Sequence, residues 1–225
     1  MNVMEPFRDR AHAGRLLGEA LQHRRASWPE PLVVVGIPRG GVPVAAEVAA
    51  RLRAPLEAIV VRKLGVPGQP ELAMGAVGQA GAGAGARAAV VWNDDVVEAV
   101  AVDEAELAAI VARESAEVER RAARWRTDAS AAAVRDAAVV LVDDGIATGA
   151  TVAAAGRVLR ALEPARLVLA APVASPQALA ELDGFDESVV LSAPADFHAV
   201  GAWYLDFAQT PDELVDQLLR RTPPG

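Results

Sequence analysis

The sequence contains no cysteine, which excludes disulfides, thiolate metal sites and cysteine nucleophiles together. Aromatic residues are scarce, at 4%, so any local concentration of them stands out. Positive charge is in deficit: 22 Lys and Arg face 30 Asp and Glu, for a formal net charge of −8. That balance disfavours a protein built to coat nucleic acid. No apolar run approaches the roughly 20 residues of a membrane span. Met1 to Arg10 carries charges where a secretion signal needs an apolar core. The expectation is a soluble, cytoplasmic protein. Two nucleotide-binding loops are also missing: no Gly-x-x-x-x-Gly-Lys-Ser/Thr and no Gly-x-Gly-x-x-Gly follows a strand. There is no internal repeat and no low-complexity linker, so residues 1–225 read as a single domain.

Hydrophobic residues are abundant, at 52%, enough for a packed α/β core. Residues 7–25 predict a helix with Phe7, Gly14, Leu17 and Leu21 near one face. His12 and His23 lie about 16 Å apart along such a helix, too far to share a metal. Leu32–Ile37 is a continuous apolar run of the buried parallel kind, followed by Pro38-Arg-Gly-Gly41 and a helix from about Val42. This strand, glycine-rich turn and helix form a candidate anion site, or simply a tight turn. Arg39 shifts the balance towards phosphate, because a guanidinium suits bidentate recognition of phosphate oxygens.

Residues 56–62 predict the next strand, ending at Arg62 and Lys63, a basic pair that is either solvated or functional. Leu64–Pro70 carries two glycines and two prolines and predicts a mobile or extended loop. Strand character returns at 72–77 and 88–92, with 78–87 as a hairpin connection. Residues 94–126 predict one long charged helix, with a packing or subunit-contact role and a homodimer as one outcome. Further strands are expected at 166–171, ended by Pro172, and at 188–191. Ser175-Pro176 and Thr210-Pro-Asp-Glu213 predict two further helix starts.

The most informative stretch is Val139-Val-Leu-Val-Asp-Asp-Gly-Ile-Ala-Thr-Gly-Ala-Thr151. It reads as a buried strand that ends on Asp143 and Asp144, then a glycine-bounded loop, then a helix. Ligands of open parallel sheets sit beyond the carboxyl ends of the strands. A helix N-terminus there offers unpaired N–H groups and a positive dipole end to an anion, and Thr148 and Thr151 can add donors. Carboxylates do not bind phosphate, so the two acids must face sugar hydroxyls or a metal. Together they suggest a phosphorylated sugar.

On these residues the chain resembles the type I phosphoribosyltransferases, which bind 5-phosphoribosyl-1-pyrophosphate. The hydrophobic strand, the acid pair and the Thr148-Gly-x-Thr151 ending look like that family's signature. Gly36-Ile-Pro-Arg-Gly-Gly41 is similar to its pyrophosphate loop. The resemblance covers about residues 30–192. It implies an α/β fold: an open, mostly parallel sheet with helices on both faces and a hood-like C-terminal addition over 193–225. The helix at 94–126 would be an elaboration.

The same resemblance implies roles. Gly145, Ile146, Ala147, Thr148, Gly149 and Thr151 would hold the ribose 5-phosphate. Asp143 and Asp144 would face the ribose hydroxyls, directly or through Mg2+. Arg39, Gly40 and Gly41 would meet pyrophosphate, with Lys63 or Arg62 bringing charge to the leaving group. Residues 64–75 would close over the site. The implied reaction moves phosphoribose to a nitrogen base. Trp203, Tyr204 and Phe207, with Phe197 and His198, are then candidates for stacking on that base. The alternative is that these aromatics pin the C-terminal helix. The family also allows a non-catalytic regulator that keeps the donor site.

Overall fold

The computed structural model describes residues 5–67, 69–80, 88–100, 103–125 and 134–221. The chain alternates strand and helix around one seven-stranded sheet of order β4-β3-β2-β1-β5-β6-β7. The strands are β1 (Leu32–Gly36), β2 (Leu56–Val66), β3 (Gln69–Ala80), β4 (Ala89–Trp92), β5 (Ala138–Val142), β6 (Arg166–Val173) and β7 (Glu187–Ser192). β2, β1, β5, β6 and β7 run parallel, while β3 and β4 add an antiparallel edge. The helices are α1 (Arg10–Gln22), α2 (Gly41–Leu52), α3 (Asp94–Val100), α4 (Glu104–Arg124), α5 (Ala150–Ala161), α6 (Pro176–Glu181) and α7 (Asp212–Arg221). Among the described residues, no helix is long and apolar enough to cross a membrane.

The central strands β1 and β5 are apolar throughout because both faces are covered. Alternate side chains serve opposite layers. Val34, Val140, Val142 and Val168 pack under α1, α2 and α7. Val33, Val35, Val139, Leu141 and Leu169 pack under α5 and α6. Each fully buried Val or Leu contributes roughly 1.5–3 kcal/mol of transfer free energy. A third cluster joins Ile110, Val118 and Ala122 of α4 to Val60, Leu64, Met74 and Val77 of the β2–β3 ribbon.

Several elements differ from the sequence reading. The predicted loop at 64–75 is instead a hairpin, with β2 running on to Val66 and β3 starting at Gln69. The glycines at 65 and 75 sit inside the strands. The single helix expected at 94–126 is two. Asp103 caps α4, its carboxylate accepting from the amides of Ala105 (2.8 Å) and Glu106 (3.3 Å). β6 does not stop at Pro172 but continues to Val173. Asp143 N donates to Ala170 O, so alternation puts the missing Pro172 N–H on the same side, where β5 has already ended. α1 starts only at Arg10, capped by Asp9, which leaves Phe7 outside the helix. The expected connection at 78–87 belongs to β3 up to Ala80 and then lies outside the described residues.

Two features hold α1 where the site needs it. A Cβ on Gly14 would stand 2.6 Å from Val44 O, so only glycine permits this close crossing of α1 over α2. Ahead of the helix, Phe7 N donates to Trp203 O and Leu205 N to Phe7 O, both at 2.8 Å. The N-terminal segment is thereby stitched to residues 203–205 of the C-terminal addition.

Candidate active site

Asp143 and Asp144 leave the carboxyl end of β5 beside the loop that leaves β1. Ile37 N donates to Val142 O at 2.9 Å, carrying the β1–β5 pairing one residue past the strand. The chain then turns through Pro38, a cis peptide to Arg39, and Gly40 into α2. A Cβ on Gly40 would lie 2.0 Å from Asp144 Oδ2, and one on Gly41 3.0 Å from Asp143 Oδ1. The two loops, about one hundred residues apart in sequence, therefore touch backbone to carboxylate.

Asp143 is half-buried, and its Oδ1 accepts from Asp144 N at 2.9 Å. Asp144 Oδ2 accepts from Arg10 Nε at 2.7 Å, and the two side chains are 15% and 13% exposed. Arg10 also donates through Nη1 to Ala208 O at 2.8 Å, and its guanidinium carbon lies 4.0 Å from the Phe207 ring centroid. Tyr204 Oη donates to the Asp144 carbonyl at 2.6 Å, while its ring packs between Phe7 and Phe207 at 5.4 and 5.0 Å.

Burial pushes the Asp143 carboxyl well above the usual carboxylate range, and the neighbouring Asp144 charge adds to it. Burial likewise raises Asp144, with Arg10 pulling the other way. Two adjacent, largely desolvated carboxylates with one cation bonded to Asp144 titrate as a pair and favour holding a proton. The Tyr204 hydroxyl is also raised, first by burial and then by the Asp144 charge, so it stays protonated and donates.

The loop after the acids divides its residues between framework and surface. Ile146 is a framework residue: its side chain is 1% exposed, its N donates to Val173 O (2.9 Å), and its O accepts from Ser175 N (2.8 Å). Gly145 is buried against Val200. Ala147, Thr148 and Thr151 are exposed. Gly149 caps α5 with φ +74°, a left-handed conformation that glycine adopts without strain. Ala150 N reaches Thr148 Oγ1 at 3.4 Å, and the first helical bond runs from Ala153 N to Gly149 O. The amides ahead of Ala153 lack intrahelical acceptors, which is the anion-binding geometry the sequence suggested.

Other expected residues sit elsewhere. Arg39 projects towards α7, with Nη1 3.7 Å from Asp212 Oδ1. Arg62 is ion-paired to Glu114 of α4, which is 8% exposed. That pairing turns Arg62 to the α4 face and away from the role of leaving-group partner. Lys63, on the opposite face of β2 by alternation, is exposed, and no ion pair among the described residues draws it to the acids. Trp203, Tyr204 and Phe207 pack with Phe7 and Phe197 in one cluster. The aromatic segment thus pins the N-terminal segment and the acid loop rather than the C-terminal helix.

Sequence reasoning missed Arg10. A signal existed: a cation on the first residue of a helix opposes the macrodipole and calls for a nearby acid. Among the described residues no group of three or more His, Cys, Asp or Glu gathers to hold a metal. The acid pair alone suits magnesium shared with substrate oxygens, since that ion commonly takes one or two carboxylates plus phosphates.

A mostly parallel sheet, with a glycine loop set against an acid pair beyond the carboxyl ends of β1 and β5, defines an α/β protein of the doubly covered open-sheet class. Comparison with known proteins makes the class specific. The sequence pattern of the phosphoribosyl transferase domain family matches residues 9–204, and the chain belongs to that family. Two Mycobacterium tuberculosis proteins, from strains CDC 1551 / Oshkosh and ATCC 25618 / H37Rv, are provisionally named phosphoribosyl transferases. Each is 45% identical over 219 residues, which is 97% of this chain and 47% of theirs. The chain therefore spans about half the length of these curated relatives. The crystal structure of TT1426 from Thermus thermophilus is 44% identical and superposes with a TM-score of 0.84, covering 99% of this chain and 100% of that one.

Proposed function

We propose that the chain transfers phosphoribose from 5-phosphoribosyl-1-pyrophosphate to a nitrogen base, with release of pyrophosphate. The observation that carries this reading is the contact between Gly40 and the Asp144 carboxylate. It brings a pyrophosphate-type loop and a sugar-phosphate-type loop within one ligand's reach. Thr148, Thr151 and the amides around Gly149 take the 5-phosphate. Asp143 and Asp144 take the ribose hydroxyls. Gly40, Gly41 and Arg39 take the pyrophosphate end, and Lys63 is left as an exposed cation for it. Arg62 is omitted because Glu114 holds it.

In the reaction the bond from the anomeric carbon to the pyrophosphate oxygen breaks, and its electron pair leaves with pyrophosphate. The base nitrogen supplies the pair for the new bond and then loses a proton. Positive charge on the sugar and negative charge on the leaving group grow together, so fixed carboxylates on one side and cations on the other stabilise the transition state. Magnesium, when bound beside Asp143 and Asp144, would neutralise anionic oxygens of the donor. The ribose hydroxyls would compete with Arg10 for Asp144, which makes Arg10 a built-in counter-ion for that acid before the donor arrives.

The test is pyrophosphate release from donor, magnesium and a panel of nitrogen bases. Release with at least one base supports transfer, and none with any base counts against it. Arg39→Ala should weaken pyrophosphate more than ribose 5-phosphate, and the reverse order would misplace the two loops. One observation favours a second reading, a donor-binding regulator without turnover. The faces of Tyr204 and Phe207 are covered by Phe7, by each other and by Arg10, so neither ring stands free for a base. Donor binding without product from any base would select that reading.

A further inference from the structure

A second charged site lies on the other side of Arg39, where α4 ends beside the start of α7. A groove of about 350 Å³ is lined by Arg39, Arg120, Arg121, Arg124, Trp125 and Asp212. Four guanidiniums and one carboxylate line this single concavity, in a chain whose net charge is −8, and Glu117, Glu213 and Asp216 pair with the same arginines from its margin.

The arginines are stable where they are. Arg121 and Arg124 occupy the last turn of α4, where the helix dipole favours cations. Each already has an acidic partner, and Arg124 has three, Asp212, Glu213 and Asp216, at 2.9, 3.2 and 3.9 Å. Arg120 and Arg121 share Glu117 from within the same helix, and every one of the four arginine side chains is at least 40% exposed. Ion pairs this exposed contribute about 0–1 kcal/mol and exchange readily for a better anion.

The groove also holds an internal indication of what it accepts. The Asp212 carboxylate stands between two guanidiniums, 2.9 Å from Arg124 Nη1 and 3.7 Å from Arg39 Nη1. An oxyanion already pairs closely with Arg124 and at longer range with Arg39. A single carboxylate cannot also engage Arg120 and Arg121, whereas a chain of phosphates can meet several planar forks bidentately. Trp125, partly buried against the core, adds an aromatic residue to the lining.

We propose that this groove binds a chain of two or more phosphates, which displaces the Asp212 carboxylate from between Arg39 and Arg124. Such a chain comes either from inorganic polyphosphate or from a nucleoside polyphosphate whose ring lies against Trp125. The site goes beyond donor binding but abuts it through Arg39. A ligand seated there therefore competes with the pyrophosphate end of the donor.

Calorimetric titration of the full chain with tripolyphosphate and, separately, ATP tests this, with circular dichroism to confirm folding of each variant. Arg120→Gln combined with Arg124→Gln should weaken tripolyphosphate by about tenfold or more. Asp212→Asn should tighten it, because the competing carboxylate is gone. ATP binding tighter than tripolyphosphate, with the difference lost in Trp125→Ala, assigns the nucleoside source; equal or weaker ATP binding assigns the inorganic one. Absence of binding to wild type, an unchanged affinity in the double variant, or weaker binding in Asp212→Asn overturns the proposal. Donor titration of the same double variant keeps the two sites apart. Donor affinity within about twofold of wild type, beside lost tripolyphosphate binding, separates the groove from the donor site. Wild type that takes tripolyphosphate but no donor would fail the phosphoribosyl reading and leave the groove standing.

Discussion

The acid pair and the arginine groove lie on either side of the loop from Pro38 to Gly41, and they handle charge in opposite ways. At the acid pair, charge is buried, held by short hydrogen bonds to Arg10 and to the Asp144 amide, and driven towards protonation. In the groove, charge is exposed and paired with neighbouring acids that are themselves partly exposed. Buried charge is expensive to disturb and selects one geometry, whereas exposed charge is cheap to rearrange and selects by total charge. The first arrangement suits positioning a sugar for a reaction. The second suits capture of a polyanion.

The comparison can be broken most sharply at Gly40. A Cβ placed 2.0 Å from the Asp144 carboxylate has to push the two loops apart. Gly40→Ala should lower donor-dependent pyrophosphate release by about a hundredfold while the protein still folds. Steady-state kinetics beside a thermal melt will show it. Next in size is Arg10→Gln, which leaves a mostly buried carboxylate without its cation. It should cost about 1–3 kcal/mol in urea unfolding at pH 7, and less at acid pH where Asp144 is protonated in both states. A wild-type-like midpoint would mean that Arg10 is not the counter-ion.

Asp143→Asn sharpens the comparison in the other direction. The folded-state carboxyl titrates above its unfolded value of 3.8, so the folded state binds the proton more tightly. Stability from this group is full below pH 3.8 and is lost as pH rises through the raised folded value. The amide variant should therefore melt a few degrees higher than wild type at pH 7, with the gain shrinking towards about pH 4. A gain independent of pH would contradict the assignment. The smallest effect is expected in the groove. Arg120→Gln should change unfolding free energy by less than about 0.5 kcal/mol, measured by the same urea titration.

Much of the site was legible because its residues are contiguous. Val139–Thr151 holds strand, acids, cap and helix start in one run, and the short-range rules for each piece apply directly. The Arg39–Gly41 turn was legible for the same reason. Its contact with Asp144 was not, because nothing local distinguishes a glycine that faces a carboxylate from one that faces solvent. Arg10 was missed, and Phe7 was read as part of a helix face, because the N-terminal segment is held by a stitch to residues 203–205, a pairing with no periodic signature. The β2–β3 hairpin was misread for a different reason. Two prolines and two glycines within 64–70 outweighed the alternation that the antiparallel partner enforces. Asp103 interrupted a helical pattern that periodicity alone carried straight through.

The most direct measurement is calorimetric titration of 5-phosphoribosyl-1-pyrophosphate, with magnesium present, into wild type and Asp144→Asn. The account predicts saturable binding to wild type, weakened by about 1–3 kcal/mol in the variant through loss of a charged acceptor for the ribose hydroxyls. Equal donor affinity in the two proteins would contradict it.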